Sequence, residues 1–225
     1  VIKFLFCDID GTLTKTISGK PFKEHSEDIL VLNKEIRGAL IYYLIKGYTI
    51  VGISNQGGCD SVDITTGKPF KTIESAITEM ANTIKLLPML DSIYFCPCLN
   101  GSVAIRVRLW KEYNDVTGDT YISTNTDKYS NRYSVSDNTP VYSFRKPDIG
   151  MVKLAIDNFY EESYLNVFNS LSYKDFLTYE DFTEQVLKES IFVGDRDEDE
   201  QCAKKLGIKF IDAIDFIAPT VIKDD

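Results

Sequence analysis

Short apolar runs alternate along this chain with stretches whose apolar residues recur at helical spacing. Residues 2–7 (IKFLFC) are apolar at nearly every position, the pattern of a strand buried on both faces. Residues 48–53 (YTIVGI), 92–96 (SIYFC), 190–194 (SIFVG) and 208–211 (IKFI) repeat it. Between the first two runs, Ile29, Leu32, Ile36, Leu40, Tyr43 and Leu44 keep helical spacing. Ser26, followed by Glu27 and Asp28, predicts the start of that helix, and Gly47 its end. Thr72 predicts the cap of a helix through Ile73, Ile77, Met80, Ile84 and Leu87, stopped by Pro88. Residues 148–160 and 197–206 complete the helical set. Strands separated by helices predict an α/β fold, a Rossmann-like, mostly parallel sheet with helices on both faces.

Two stretches depart from this rhythm. Residues 99–143 are rich in Ser, Thr, Asn and Tyr, and Val103, Ile105, Val107 and Leu109 alternate with Ala104, Arg106, Arg108 and Trp110. That alternation predicts an inserted set of β-hairpins. Residues 161–189 carry many aromatics and acids and predict a helical, acidic insertion. Residues 1–225 are otherwise expected to form one domain. The string GKPFK occurs at 19–23 and again at 67–71, with no wider similarity, and reads as two similar loops rather than a repeat.

Composition narrows the possibilities. The chain has 225 residues, 44% hydrophobic and 26% charged, an ordinary globular balance. Its net charge of −9 excludes a generic nucleic-acid coat. Acids and bases balance over residues 1–150, however, so the whole excess lies in residues 151–225. A single histidine, His25, excludes chemistry built on several histidines. The five cysteines are odd in number and read as reduced thiols of a cytoplasmic protein. No run approaches the ~20 apolar residues of a membrane helix. The first apolar run ends in acids, so no secretory leader is expected.

Four motifs follow predicted elements at the edge where open parallel sheets bind ligands. Asp8-Ile9-Asp10-Gly11-Thr12 places two carboxylates two apart after a buried strand, as a nucleophile and an acid/base would be. Ser54-Asn55-Gln56-Gly57-Gly58 offers a hydroxyl and free amides to a phosphate oxygen. Arg145-Lys146-Pro147 precedes a helix, and Lys146 could stabilise charge on a phosphoryl group. Gly194-Asp195-Arg196-Asp197-Glu198-Asp199 crowds acids at a strand-to-helix turn, suited to Mg²⁺ or to the positive end of the helix.

This ordered set resembles the haloacid dehalogenase superfamily of phosphotransferases over about residues 2–215. The resemblance implies that Asp8 is a nucleophile forming an aspartyl-phosphate and that Asp10 protonates the leaving group, then activates water. It implies that Ser54 and Lys146 hold the phosphoryl group, and that Asn55, Gln56, Arg145 and Lys20 contact substrate. Mg²⁺ is then expected on Asp8, Asp195 and the main-chain carbonyl of Asp10, with Asp199 supporting the site. SNQGG, RKPDIGM and GDRDEDEQCAKKLGI resemble the branch holding histidinol-phosphate, heptose bisphosphate and polynucleotide 3′-phosphatases. That branch implies no large cap domain, only a short flap after the first motif. DGTLTKTISGKPF at 10–22 is most similar to the flap of the polynucleotide 3′-phosphatases, through Thr16, Ser18, Gly19, Lys20 and Phe22.

Two expectations are negative. Cys96-Pro97-Cys98 stands alone, with Tyr142-Ser143-Phe144 where a second ligand pair would be, so no structural zinc is expected. No phosphate-binding G-x-x-x-x-G-K-[ST] stretch occurs, so no P-loop kinase unit is expected in these residues. The expected substrate is a 3′-phosphorylated nucleic-acid end, with Lys20, Phe22, Lys68, Arg106, Arg108 and Trp110 as candidate contacts. A small phosphate ester (sugar, histidinol-type or nucleotide) is the alternative. A non-enzymatic scaffold is disfavoured by intact Asp8, Asp10, Lys146 and Asp195. No membrane partner is expected.

Overall fold

The computed structural model describes residues 2–20, 22, 23, 25–108, 111–113, 120–122, 130–134, 142–168 and 178–217. In chain order the strands and helices are β1 (Lys3–Cys7), β2 (Thr14–Lys15), β3 (Leu30–Val31), α1 (Glu35–Ile45), β4 (Tyr48–Asn55), α2 (Ile73–Leu86) and β5 (Ser92–Cys96). There follow β6 (Val103–Val107), β7 (Lys111–Tyr113), β8 (Thr120–Ile122), β9 (Ser130–Ser134), α3 (Gly150–Phe168) and α4 (Tyr179–Glu189). The last are β10 (Ile191–Gly194), α5 (Asp197–Leu206), β11 (Lys209–Asp212) and α6 (Ala213–Phe216).

The main sheet has the order β11-β10-β1-β4-β5-β6-β9. The first five strands are parallel, and β6 and β9 add antiparallel at one edge. Each central strand sends alternate side chains to opposite faces. Leu5, Cys7, Ile93, Phe95 and Val193 join a core with Ile36 and Leu40 of α1 and Met80 and Ile84 of α2. Phe4, Phe6, Tyr94, Cys96 and Phe192 join another with Val152 and Ile156 of α3, Phe182 and Val186 of α4 and Cys202 and Leu206 of α5. The expected α/β sheet with helices on both faces is thus what forms. No helix among the described residues is long and apolar enough to cross a membrane.

Three sequence expectations need correction. The first helix starts at Glu35, not near Ser26. Asn33 Oδ1 accepts from the amides of Glu35 and Ile36, which opens the helix there. Leu30–Val31 instead pairs antiparallel with Thr14–Lys15, closing the base of a short flap after the first motif. Inside that flap Asp28 accepts from the amide and hydroxyl of Ser18, at 2.8 and 2.7 Å. Secondly, the 99–143 segment does not fold apart from the core: β6 and β9 extend the main sheet, and only β7 and β8 pair by themselves. Ile105 and Val107 pack in the first core, which is why the strand docks. Thirdly, residues 179–189 form the layer helix that leads into β10, with Phe182 and Val186 buried, rather than an elaboration. Residues 169–177 and Trp110 lie outside the described residues.

Candidate active site

β1 is the point where the strand order reverses: β4 and β5 lie on one side, β10 and β11 on the other. Ligands of open parallel sheets bind beyond the strand ends at such a switch point. Asp8 follows β1, Ser54 and Asn55 end β4, and Asp195 follows β10. Lys146 enters from the loop before α3.

Lys146 is 2% exposed, and oxygens surround its ammonium. Nζ lies 2.5 Å from Asp8 Oδ1 and 2.6 Å from Asp199 Oδ1, and it donates to the Ile53 carbonyl at 3.0 Å. Asn55 fixes this loop. Its Oδ1 accepts from the Lys146 amide and its Nδ2 donates to the Lys146 carbonyl, both at 3.0 Å. Asn55 Nδ2 also meets Glu198 Oε1 at 3.2 Å. Its side chain therefore braces Lys146.

Asp8, Asp195 and Asp199 bring ligand oxygens within 4.8 Å of one another. The Thr12 hydroxyl joins two of them, 3.3 Å from Asp8 Oδ2 and 3.1 Å from Asp195 Oδ1. Asp199 is fully buried, and its Oδ2 accepts from the Arg196 amide at the start of α5. Glycines make this crowding possible. A Cβ on Gly11, whose φ is +92°, would collide with the Asp195 carboxylate, and a Cβ on Gly194 with Asp199. Two buried carboxylates, Asp8 and Asp199, thus share one ammonium, with the exposed Asp195 beside them. Burial pushes the Asp8 carboxyl up to about 7; Asp199 and Asp10 add to the rise and Lys146 opposes it. Burial would lower Lys146, but Asp8 and Asp199 hold it above its ordinary value. A hard divalent cation fits this donor set, because it supplies the charge that the buried oxygens lack.

Asp10 points elsewhere. Its Oδ1 pairs with Lys23, and its Oδ2 accepts from Gln56 Nε2 at 2.7 Å. Gln56 Nε2 also donates to Ser54 Oγ at 2.9 Å. Burial would raise Asp10, but Lys23, Gln56 and Lys71 outweigh it and hold the carboxyl low. The Asp10 carboxylate stands outside the group of Asp8, Asp195 and Asp199.

Three further residues, Glu79, Lys23 and Lys71, were not singled out from the sequence. Glu79 of α2, 1% exposed, takes Lys23 on Oε1 at 2.5 Å and Lys71 on Oε2 at 2.6 Å. Lys71 Nζ also donates to Gln56 Oε1 at 2.8 Å. Lys23 and Lys71 are the last residues of the two GKPFK strings, so the strings that read as unrelated loops converge at one carboxylate. The available signal was helical phase: Glu79 lies on the stripe of Ala76, Met80, Thr83 and Ile84, where an acid is out of place.

The remaining candidates divide. Arg145 packs over the turn after β4, where a Cβ on Gly57 would lie 3.2 Å from its Nη1, and that nitrogen is buried without a hydrogen-bond partner. Lys20 and Phe22 are exposed on the flap, and Lys68 on the later loop. Arg106 is buried and grips Glu162 of α3 at 2.5 Å; Arg108 meets the same carboxylate at 2.8 Å. Both arginines are therefore committed to the α3 face. The Cys96 and Cys98 sulfurs lie 3.8 Å apart, with Cys98 accepting from the Val103 amide.

The same fold occurs in a solved phosphatase. D,D-heptose 1,7-bisphosphate phosphatase from B. bronchiseptica, solved with magnesium and phosphate, aligns with a TM-score of 0.50 at 15% identity, over 93% of this chain and 79% of that one. A Mesorhizobium loti protein described as a HAD-like phosphatase gives 0.49 at 16% identity, over 92% of this chain and 69% of that one. No curated protein sequence matches the chain. Residues 3–213 match the model of one family, and the chain belongs to it: the polynucleotide kinase 3 phosphatase family. It is accordingly an enzyme, a phosphatase.

Proposed function

We propose that the chain hydrolyses phosphate monoesters through a phosphoryl-Asp8 intermediate, with Mg²⁺ as its metal, and that its substrate is a 3′-phosphorylated nucleic-acid end. The observation that carries the reading is Asp8 itself. It is a buried carboxylate at the switch point, held by Lys146, with Asp10 two residues further on.

An Asp8 oxygen attacks phosphorus, and the bond from phosphorus to the ester oxygen breaks. Asp10, held ionised by Lys23 and Gln56 before substrate arrives, takes up a proton as the phosphate binds and passes it to that departing oxygen. The phosphate dianion beside Asp10 disfavours its ionised form, the direction a proton donor needs. Asp10 then takes a proton from the water that attacks phosphorus, and Asp8 is freed. The Ser54 hydroxyl already accepts from Gln56, so its own proton can go to a phosphoryl oxygen. Arg145 has a buried, unpartnered Nη1 for another. Mg²⁺ held by Asp8 and Asp195, with Asp199 supporting them, would supply the positive charge that lets a carboxylate approach a phosphate dianion.

Three observations support a nucleic-acid end: the family match, the flap string at 10–22, and Lys20 with Phe22 exposed on that flap. A panel of a 3′-phosphorylated oligonucleotide and small phosphate esters, each with Mg²⁺, tests it. Preferred turnover of the oligonucleotide is expected. Efficient turnover of one small ester alone would make the chain a small-molecule phosphatase.

A further inference from the structure

Around Asp10 the polar contacts form a closed circuit. Lys23 meets Asp10 Oδ1 and Glu79 Oε1, Lys71 meets Glu79 Oε2 and Gln56 Oε1, and Gln56 Nε2 returns to Asp10 Oδ2. The five residues come from four segments: Asp10 from the turn after β1, Lys23 from the flap, Gln56 and Lys71 from the connection between β4 and α2, and Glu79 from α2. We propose that Glu79 is a positioning residue for the hydrolysis, clamping the flap through Lys23 and the 61–71 loop through Lys71 so that both oxygens of Asp10 are fixed. The proposal rests on the phosphatase reading above, in which Asp10 handles the leaving-group proton.

Several features make this more than a stabilising ion pair. Glu79 touches none of Asp8, Lys146 or Asp195, so it acts only through its lysines. It occupies a helical position whose neighbours are apolar, where an apolar side chain would serve packing as well. A buried carboxylate there is tolerable only because both lysines reach it. Each lysine also contacts a second member of the circuit. The Lys23 side chain is 5% exposed and the Glu79 side chain 2%, so the flap must lie against α2 for this geometry to exist. The 61–71 loop is tied down as well: its Asp63 accepts from Thr65 at 2.7 Å, and the Phe70 amide donates to the Ser61 carbonyl at 3.2 Å. Gln56 closes the circuit and also touches Ser54, which links Asp10 to the proposed phosphoryl pocket.

The test is leaving-group dependence. An aryl phosphate with an acidic phenol departs without much help from a proton, whereas an alkyl phosphate needs it. Steady-state kcat/KM is measured with Mg²⁺ on one ester of each kind, for wild type, Glu79→Gln, Glu79→Asp and Lys71→Met. Thermal midpoints are recorded alongside. Glu79→Gln is expected to lose at least about tenfold more kcat/KM on the alkyl ester than on the aryl ester. Glu79→Asp is expected to recover part of that difference. Lys71→Met breaks the circuit while leaving Glu79 paired to Lys23, so it keeps the test decisive if Glu79→Gln does not fold; it should show the same bias at smaller size. An equal loss on both esters, or a loss in KM alone, would overturn the proposal. With a 3′-phosphorylated oligonucleotide as the alkyl ester, wild type inactive on both would overturn the hydrolytic reading of Asp8 and Asp10, and the proposal with it.

Discussion

Lys146 shows how much of the site rests on single side chains. It neutralises two carboxylates that are otherwise buried among apolar residues. Lys146→Met should abolish turnover and should also destabilise the fold by about 3–5 kcal/mol, because it leaves buried charge without a partner. Urea unfolding measures the second effect. A variant that is inactive yet as stable as wild type would mean that Lys146 does not balance buried charge in the folded protein. Asp10→Asn should slow turnover by roughly 10²–10⁴-fold, and an unchanged rate would remove Asp10 from proton transfer. Asp8, Asp10, Ser54, Lys146 and Asp195 were legible in the sequence because each sits directly beside a predicted strand or helix. Lys23, Glu79 and Lys71 were not. A lysine in a loop and an acid in a helix look solvated until the chain closes around them, and nothing local says that three segments meet.

At the scale of elements, strand positions were readable because runs such as SIYFC are apolar on both faces, and β5 falls on that run. Helix α1 was not readable to its end. Ile29 and Leu32 share its apolar spacing, but the backbone at Leu30–Val31 satisfies itself on β2 instead. Periodicity does not distinguish a helical turn from a short strand that leads into one. The Arg106–Glu162–Arg108 cluster ties β6 to α3 and gives a pH test. Burial would raise Glu162, but Arg106 and Arg108 hold it below its ordinary value. A lowered carboxyl stabilises the fold above its ordinary pKa, and that contribution disappears as pH falls through the lowered folded value. Glu162→Gln should therefore lower the thermal midpoint at neutral pH, by the equivalent of about 1 kcal/mol or less given its exposure. The gap to wild type should narrow once pH falls below the usual glutamate range of about 4. A gap that is constant with pH would assign the loss to packing.

For the whole molecule, the −9 charge says little about the active face. The acids concentrate after residue 150, many of them on α4 and at the start of α5. Asp8, Asp195 and Asp199, the proposed metal ligands, lie beyond the strand ends, while the two apolar clusters fill the faces of the sheet. Chelation should consequently abolish turnover without unfolding the protein; a collapse of the circular dichroism signal on adding chelator would contradict this. If a nucleic-acid end is the substrate, its turnover should weaken with added salt far more than that of a small ester.

Covalent capture on Asp8 tests the central claim most directly. Enzyme turning over substrate with Mg²⁺ is quenched in acid, digested and mapped by mass spectrometry. The peptide spanning Asp8 is predicted to carry one phosphoryl group, which is lost on treatment with hydroxylamine and absent in Asp8→Asn. Phosphate release at full rate from Asp8→Asn, or a phosphoryl group on any other residue, would contradict it.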